Sequence, residues 1–461
     1  MELKEVQDEL TKIKITEEIA TVEFIKKIFG KHTSTLDISN HYIFDKSASI
    51  LVKLLSSYFI SKKDLKSLIL QNCMVSSKSL KKILKVFTLH SKSLKFLDIS
   101  NNRLEIDPQL SRKISILFSR TLKLKSLKLQ GNICENSQAL AELFAFDIRI
   151  NELNLYDTNL GGDGLTVLAS ALEANRTIMI LNLGYNDEAF ENPDIVRVFA
   201  DSVGKSRNIK ELVLSGNENL GNTDNLRQLS EGLKLNKSLY TLRLGGINLS
   251  DFGIKLLSAT LLREIPLCYL DIQNNNIQDA GFKNLIMEMP ETLTGLDFSY
   301  NSIRDNSSLV SFSTFLMESK SLRNLNISHS FELEAVETSI VDLLCEALTK
   351  NDSLADLMCE GVKIAEDPDE FCYKLNQAIG YRKLSLTYKI SAVNCIINRS
   401  SSVSLMSNEK SMKFISNIPS NLSQFKERES YSQTARNEFV ETPDQDPIVN
   451  TSRHFDISNS L

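Results

Sequence analysis

The sequence predicts an α/β solenoid of about twelve repeats. Parallel strands line its concave face and helices its convex face. Three observations predict this. The stretch LKFLDISNNRL, residues 94–104, alternates Leu94, Leu97 and Ile99 like a short strand and follows them with Asn102 and Leu104, the pattern L-x-x-L-x-L-x-x-N-x-L. Its central leucine returns at Leu36, Leu68, Leu97, Leu127, Leu153, Leu181, Leu212, Leu242, Leu270, Leu296, Leu325 and Leu357, at intervals of 26 to 32 residues. The residues between matches carry helical periodicity. Length alone would suggest about three domains. The period overrules it, because a solenoid grows by stacking, and parallel crossovers coil right-handed.

Residues 1–32 precede the first repeat. Ile19, Val22, Phe24, Ile25, Ile28 and Phe29 recur at helical spacing, with Glu17, Glu18, Glu23, Lys26 and Lys27 on the polar side. This reads as a helical cap over the open end of the core. The repeats fill residues 33–365. In each strand the motif leucines point inward and the residues between them point to solvent. The clearest helix lies in residues 159–178, where Leu165, Leu168, Ala169 and Leu172 form one stripe. Asp163 is placed to cap it and Gly164 to permit a tight entry. Similar entries occur at 248–253 and 276–281, with Asp251 before Gly253 and Asp279 before Gly281.

These repeats of about 29 residues, each with a full helix and a glycine near its entry, resemble the ribonuclease-inhibitor-like leucine-rich repeats. That family includes ribonuclease inhibitors, Ran GTPase-activating proteins and ciliary and cytoskeletal adaptors. The resemblance covers some 330 of the 461 residues. It implies a horseshoe, because strands about 4.8 Å apart cannot match helices about 10 Å thick without bending.

The motif asparagine is present as Asn102, Asn132, Asn186, Asn217, Asn275 and Asn301. A buried asparagine there can bond backbone groups of its own and the neighbouring repeat, a structural ladder. Cys73 is a variant the motif permits. His41, Thr158, Ile247, Ser330 and Val362 depart from it, and their repeats are expected to be looser. Residues 366–389, with Phe371, Tyr373, Leu375, Ile379 and Leu384, read as a C-terminal cap. From 390 onward the texture changes to a serine-rich tail. Its last 71 residues hold 15 serines and no glycine, the composition of a disordered segment. FDISN at 455–459 echoes LDISN of the repeats, and Thr442 before Pro443 has the form of a proline-directed phosphosite.

Composition narrows the function classes. A charge of -5 does not suit a general nucleic-acid binder. Seven scattered cysteines without a C-x-x-C pair point to reduced thiols in a cytoplasmic or nuclear setting, cytoskeletal or ciliary if the resemblance extends that far. No signal-peptide core and no 18-residue apolar run is present, so no membrane association is expected. No phosphate-binding, zinc-protease or nucleophile-elbow motif appears, and the five histidines lie far apart. No metal and no cofactor is expected, and no catalytic residue is assigned from the residues themselves. The resemblance supplies one candidate, since Ran GTPase-activating proteins use an arginine in a loop after an early strand. Arg103 stands in such a place and Arg304 occurs later, but the surrounding stretch does not match that family.

The concave face can be read from the register. The third, fifth and seventh positions hold Asp37, Asp98, Glu152, Glu211, Asp271, Asp297, Asp356 and Glu360, against Lys128 and Arg243. The same positions hold Ile69, Phe96, Tyr156, Ile180, Val213, Tyr269 and Met358. Acids around exposed apolar groups suit a protein partner with a basic surface. The candidate binding residues are Ile69, Phe96, Asp98, Glu152, Tyr156, Ile180, Glu211, Tyr269, Asp271 and Asp297. A non-enzymatic adaptor is therefore expected. The alternative is a GTPase-activating protein for a Ran-type small GTPase.

Overall fold

The computed structural model describes residues 20–25, 34–60, 65–121, 123–145, 149–333 and 336–364, with Lys374 and the backbone of strands at 385–390 and 393–397. Each central leucine of the motif sits in the middle of a three-residue strand. These are β1 (Thr35–Asp37), β2 (Ser67–Ile69), β3 (Phe96–Asp98), β4 (Ser126–Lys128), β5 (Glu152–Asn154), β6 (Ile180–Asn182), β7 (Glu211–Val213), β8 (Thr241–Arg243), β9 (Tyr269–Asp271), β10 (Gly295–Asp297), β11 (Asn324–Asn326) and β12 (Asp356–Met358). They pair in chain order, all parallel, with leucine opposite leucine. The twelve leucines are at most 3% exposed, so one buried column runs the length of the repeats.

Helices follow the strands: α1 (Asp45–Ile60), α2 (Ser77–His90), α3 (Pro108–Arg120), α4 (Ser137–Leu143), α5 (Gly162–Ala174), α6 (Pro193–Lys205), α7 (Thr223–Leu233), α8 (Ser250–Thr260), α9 (Asp279–Met287), α10 (Asn306–Glu318) and α11 (Thr338–Lys350). Their apolar stripes pack on the leucine column as one continuous core. Phenylalanines thicken it in the later repeats. Phe282 lies 4.8 Å from Phe298 and 5.5 Å from Phe331, centroid to centroid. The chain is thus a leucine-rich repeat solenoid.

Each strand is short because a turn closes on its end. In seven repeats the fifth motif position is Asp or Asn and accepts a bond from the backbone N–H two residues on. Asp98 Oδ1 takes the Ser100 N–H at 3.0 Å, and Asn154 Oδ1 takes that of Tyr156 at 3.0 Å. This Asx turn bends the chain out of the sheet. The eighth position then takes a left-handed conformation in all twelve repeats, by asparagine at Asn40, Asn72, Asn101 and Asn274 and by glycine at four more.

At the ladder position Asn102 Oδ1 accepts the N–H groups of Cys73 and Val75 at 3.0 and 3.2 Å, and its Nδ2 donates to Leu70, Ile99 and Ser100 carbonyls. Asn132, Asn186, Asn217, Asn275 and Asn301 likewise reach back one repeat, to the carbonyls of Ile99, Leu155, Leu183, Leu244 and Ile272. The departures are not equally loose. Ser330 Oγ still donates to Phe298 O at 2.7 Å, and Cys73 Sγ to Ile38 O at 3.1 Å. Thr158 Oγ1 donates to Leu155 O within its own repeat. Ile247 and Val362 have no side-chain donor to offer.

At the N-terminal end residues 20–25 are helical. Ile25 is fully buried, and Phe24 stacks on His41 with centroids 3.8 Å apart. His41 departs from asparagine where it meets the preceding helix. Ile19, Ile28 and Phe29 lie outside the described residues.

Three helix entries differ from expectation. The N-cap of α5 is Gly161, with no side-chain cap, and Asp163 sits inside the first turn, where a carboxylate favours the positive helix end. Gly164 is helical, and its role is space: a Cβ there would meet Leu160 Cδ1 at 2.5 Å. Asp251 and Asp279 bond onward to the next repeat, Asp251 Oδ1 accepting the Gln278 N–H at 2.6 Å and Asp279 Oδ1 the Asp305 N–H at 2.9 Å.

Beyond the twelfth repeat, β13 (Ser385–Ile390) adds to β12 in parallel and β14 (Val393–Ile397) returns antiparallel. The sheet thus continues past residue 389. Apart from Lys374, the other residues read as the C-terminal cap, and the chain from 398 with its FDISN echo, lie outside the described residues.

Candidate functional site

The inner strand face is where the alternating side chains of twelve strands meet solvent. Ile69, Phe96, Glu152, Tyr156, Ile180, Glu211 and Tyr269 are half-buried there. Asp98, Asp271 and Asp297, expected on the surface, are instead buried at 6, 3 and 6% exposure. The cause is the Asx turn between flanking strands, since Asp37 makes the same turn on the edge strand β1 and stays exposed. Each carboxylate folds back on its own strand end, with the Ser100 and Ser299 hydroxyls also donating to Asp98 and Asp297. These acids shape the face more than they charge it.

Burial disfavours their ionised form. It raises Asp98 and Asp297 above the ordinary carboxylate range, against the opposing bonds from Ser100 and Ser299. Asp271 is pushed up to about 7, first by burial and then by Asp297, its register neighbour on β10, while Arg243 and Gln273 oppose the shift. Asn326 Nδ2 donates to Asp297 Oδ2 at 3.0 Å, which supports the far side of the pair.

The two bases of the face are neutralised within it. Arg243 Nε donates to Glu211 Oε1 at 3.1 Å, and Nη1 lies 3.9 Å from Asp271 Oδ2. Its guanidinium rests 5.0 Å from the Tyr269 ring centroid. Lys128 repeats the arrangement on β4, 5.3 Å over Phe96 and 3.8 Å from Glu152, which also accepts the Ser126 hydroxyl at 2.7 Å. Each cation therefore has an aromatic on one neighbouring strand and a glutamate on the other. Phe96 and Tyr269 are engaged inside these triads.

Aromatic groups that the third, fifth and seventh positions do not reveal stand at the eighth. Tyr185 pairs with Tyr156 at 5.0 Å, and Tyr300 stacks on His329 at 4.8 Å with planes 19° apart. Tyr300 is 47% exposed. Tyr185, Tyr300 and His329 all have left-handed backbone, with φ of 56, 57 and 55°. Tyr185 and His329 pack over glycines of the next repeat, where a Cβ would come within 2.5 Å at Gly216 and 2.2 Å at Gly361. The available signal was positional: the residue just before the ladder asparagine leaves the strand and turns toward the rim.

Arg103 is exposed with φ of 53°, and Arg304 lies 3.9 Å from Glu332. Burial pushes the thiols of Cys73 and Cys134 up to about 12, so both are poor nucleophiles. Among the described residues no group of side chains could hold a metal ion, and no helix is long and apolar enough to cross a membrane.

No family model matches the chain. It is 28% identical over 274 residues to the NACHT, LRR and PYD domains-containing protein 4C of Mus musculus, covering 56% of this chain and 26% of that protein. It is 30% identical over 225 residues to protein 4E of the same organism, covering 47% and 21%. The chain thus spans roughly a quarter or less of the length of the curated relatives it matches. Among solved structures, the leucine-rich repeat-containing protein LegL7 from Legionella pneumophila aligns with a TM-score of 0.43 and 17% identity, over 66% of this chain and 87% of that one. Repeat pattern and strand order make this a leucine-rich repeat chain.

Proposed function

We propose that the strand face from β5 to β12 holds a basic segment of a protein partner, and that the chain serves as a non-enzymatic adaptor. The observation that carries this is two aromatic pairs, Tyr156 tilted against Tyr185 and Tyr300 stacked on His329. Left-handed backbone costs a bulky residue about 1–2 kcal/mol. Asparagine or glycine holds eight of the twelve equivalent positions, and at Tyr185, Tyr300 and His329 the chain bears the cost. Strain retained together with exposed aromatic surface marks a contact. Charge supports the sign of the partner. Residues 129–364 hold 33 acids against 18 lysines and arginines, and Arg243, the one base at the third, fifth or seventh position of β5–β12, is paired.

The test is capture from cell lysate followed by mass spectrometry, comparing the full chain with Tyr156→Ala/Tyr300→Ala. Proteins with basic segments should be recovered by the first and lost with the second, at unchanged circular dichroism. Equal recovery by both chains would remove the strand face as the site.

A further inference from the structure

The net charge of -5 conceals a segregation. Residues 65–128 carry 14 lysines and arginines against three acids. Of those acids, Asp98 is buried and Asp107 is held by Lys81 at 2.7 Å. Apart from Lys81 and Lys128, none of the 14 cations has an ion-pair partner among the described residues.

The cations are ordered. Lys66, Lys95 and Lys125 each stand one residue before a strand, on three adjacent strands, and all are exposed. The Lys95 N–H donates to Lys66 O at 2.7 Å and the Lys125 N–H to Lys95 O at 2.8 Å. Their backbones are therefore about 4.8 Å apart, so three exposed lysines follow one another along one edge of the sheet. Lys92, Arg120 and Lys123 lie on the same edge, where helices end and strands begin. Two large apolar side chains project there as well: Ile60, the last residue of α1, is 74% exposed, and Leu89, near the end of α2, is 59% exposed. Leu89 continues an exposed stripe of Lys78, Lys82 and Lys85 along α2.

We propose that this edge of repeats two to four docks on an anionic lipid bilayer. A row of unpaired lysines next to projecting aliphatic side chains is the composition that an anionic headgroup region attracts and holds. Nucleic acid fits less well. Eleven of the 14 cations are lysine, whereas the planar fork of arginine suits phosphate and base recognition. No phenylalanine or tyrosine among the described residues 65–128 is exposed to stack on a base. Leu89 and Ile60 would have no use on a phosphate backbone. The inference is independent of the strand-face reading, since it uses other residues.

The experiment is sedimentation of the full chain with phosphatidylcholine vesicles, with and without about one third phosphatidylserine. Binding is expected only to the serine-containing vesicles and should fall steeply as salt shortens the screening length. Lys66→Glu/Lys95→Glu/Lys125→Glu should weaken it at least tenfold at unchanged thermal unfolding. Lys92→Glu/Lys123→Glu provides a second variant on the same edge with the same expected direction. Leu89→Ser should weaken binding while leaving its salt dependence in place. No binding to anionic vesicles, equal binding to both compositions, or wild-type binding by both charge-reversed variants would overturn the proposal. Capture of a polyuridine RNA without capture of vesicles would overturn it too, and would give the edge to nucleic acid.

Discussion

At the scale of single residues, the fifth and ninth motif positions do different work. The ninth was legible, because an asparagine recurring behind a strand has one economical use, bonding backbone that the turn would orphan. Asn102→Ala removes the acceptor for two N–H groups and the donor to three carbonyls. It should destabilise by about 1–3 kcal/mol in chemical denaturation, with partner binding unchanged. The fifth position misleads, because an aspartate directly after the central leucine of a strand looks like a solvent-facing acid. Only the backbone path shows that Asp98, Asp271 and Asp297 fold inward, so reversing the charge at Asp98 or Asp271 would disturb the fold and could not probe binding. Asp271 offers a sharper test. Unfolded, its carboxyl ionises near pH 4; folded, it does so at about 7. Between these values the native state binds more protons, so this group's contribution to stability falls as pH rises from about 4 to 7. Asp271→Asn keeps an acceptor for the Gln273 N–H, as Asn154, Asn182 and Asn326 do in their own turns. The variant should gain on the order of 1–3 kcal/mol at pH 7.5 and little at pH 4.5, measured by urea denaturation at both values. A loss at pH 7.5 would show that the contact with Arg243 outweighs the burial of charge.

At the scale of elements, the strands were readable to the residue, since each is set by one leucine in a fixed register. The helices were readable in existence but not at their starts. Asp163 precedes the apolar stripe as a cap would, yet the chain enters the helix two residues earlier, at Gly161. A second set of polar contacts went unread. Asn236 and Asn351 lie just beyond helices α7 and α11. Each accepts two backbone N–H groups of its own N-x-S-L stretch and donates to carbonyls of the previous repeat, Asn236 to Val203 O at 2.6 Å and Asn351 to Leu316 O at 2.6 Å. Read with the leucine pattern, those stretches mark where a helix ends and a strand begins. Helices α6 and α7 show how the spacing between repeats is set. A Cβ on Gly204 would lie 2.1 Å from Gly232 O, and one on Gly232 would lie 2.6 Å from Ala200 C and 2.8 Å from Asp201 N. These are backbone atoms and cannot yield locally, so Gly232→Val must separate the two helices. A loss of about 1–3 kcal/mol or more in chemical denaturation is expected. A neutral result would mean that the repeats tolerate wider spacing there.

At the scale of the whole molecule, the period made the solenoid legible and the summed charge hid its most useful feature. Counting acids in three motif positions gave a uniformly acidic face, but the chain divides into a basic stretch at 65–128 and an acidic one at 129–364. Apart from Lys128, the lysines of the first stand at the second motif position, on the helices and in the connections between them, outside that count. Of the aromatics proposed to bind, Tyr185, Tyr300 and His329 stand at the eighth position, where side-chain direction depends on a left-handed backbone that the sequence pattern does not show. The proposed partner contact therefore lies on β5–β12, where aromatic anchors would set how long the complex lasts and rim acids how fast it forms. The most direct measurement is surface-binding kinetics, at two salt concentrations, of a partner recovered by the lysate capture. Tyr156→Ala and Tyr300→Ala should each speed dissociation, by about 2 kcal/mol or more where the ring is a hot spot, with association little changed. Asp356→Lys with Glu360→Lys should slow association and flatten its salt dependence. Wild-type kinetics in all of these variants, with binding abolished by a substitution on the outer helices, would contradict the account.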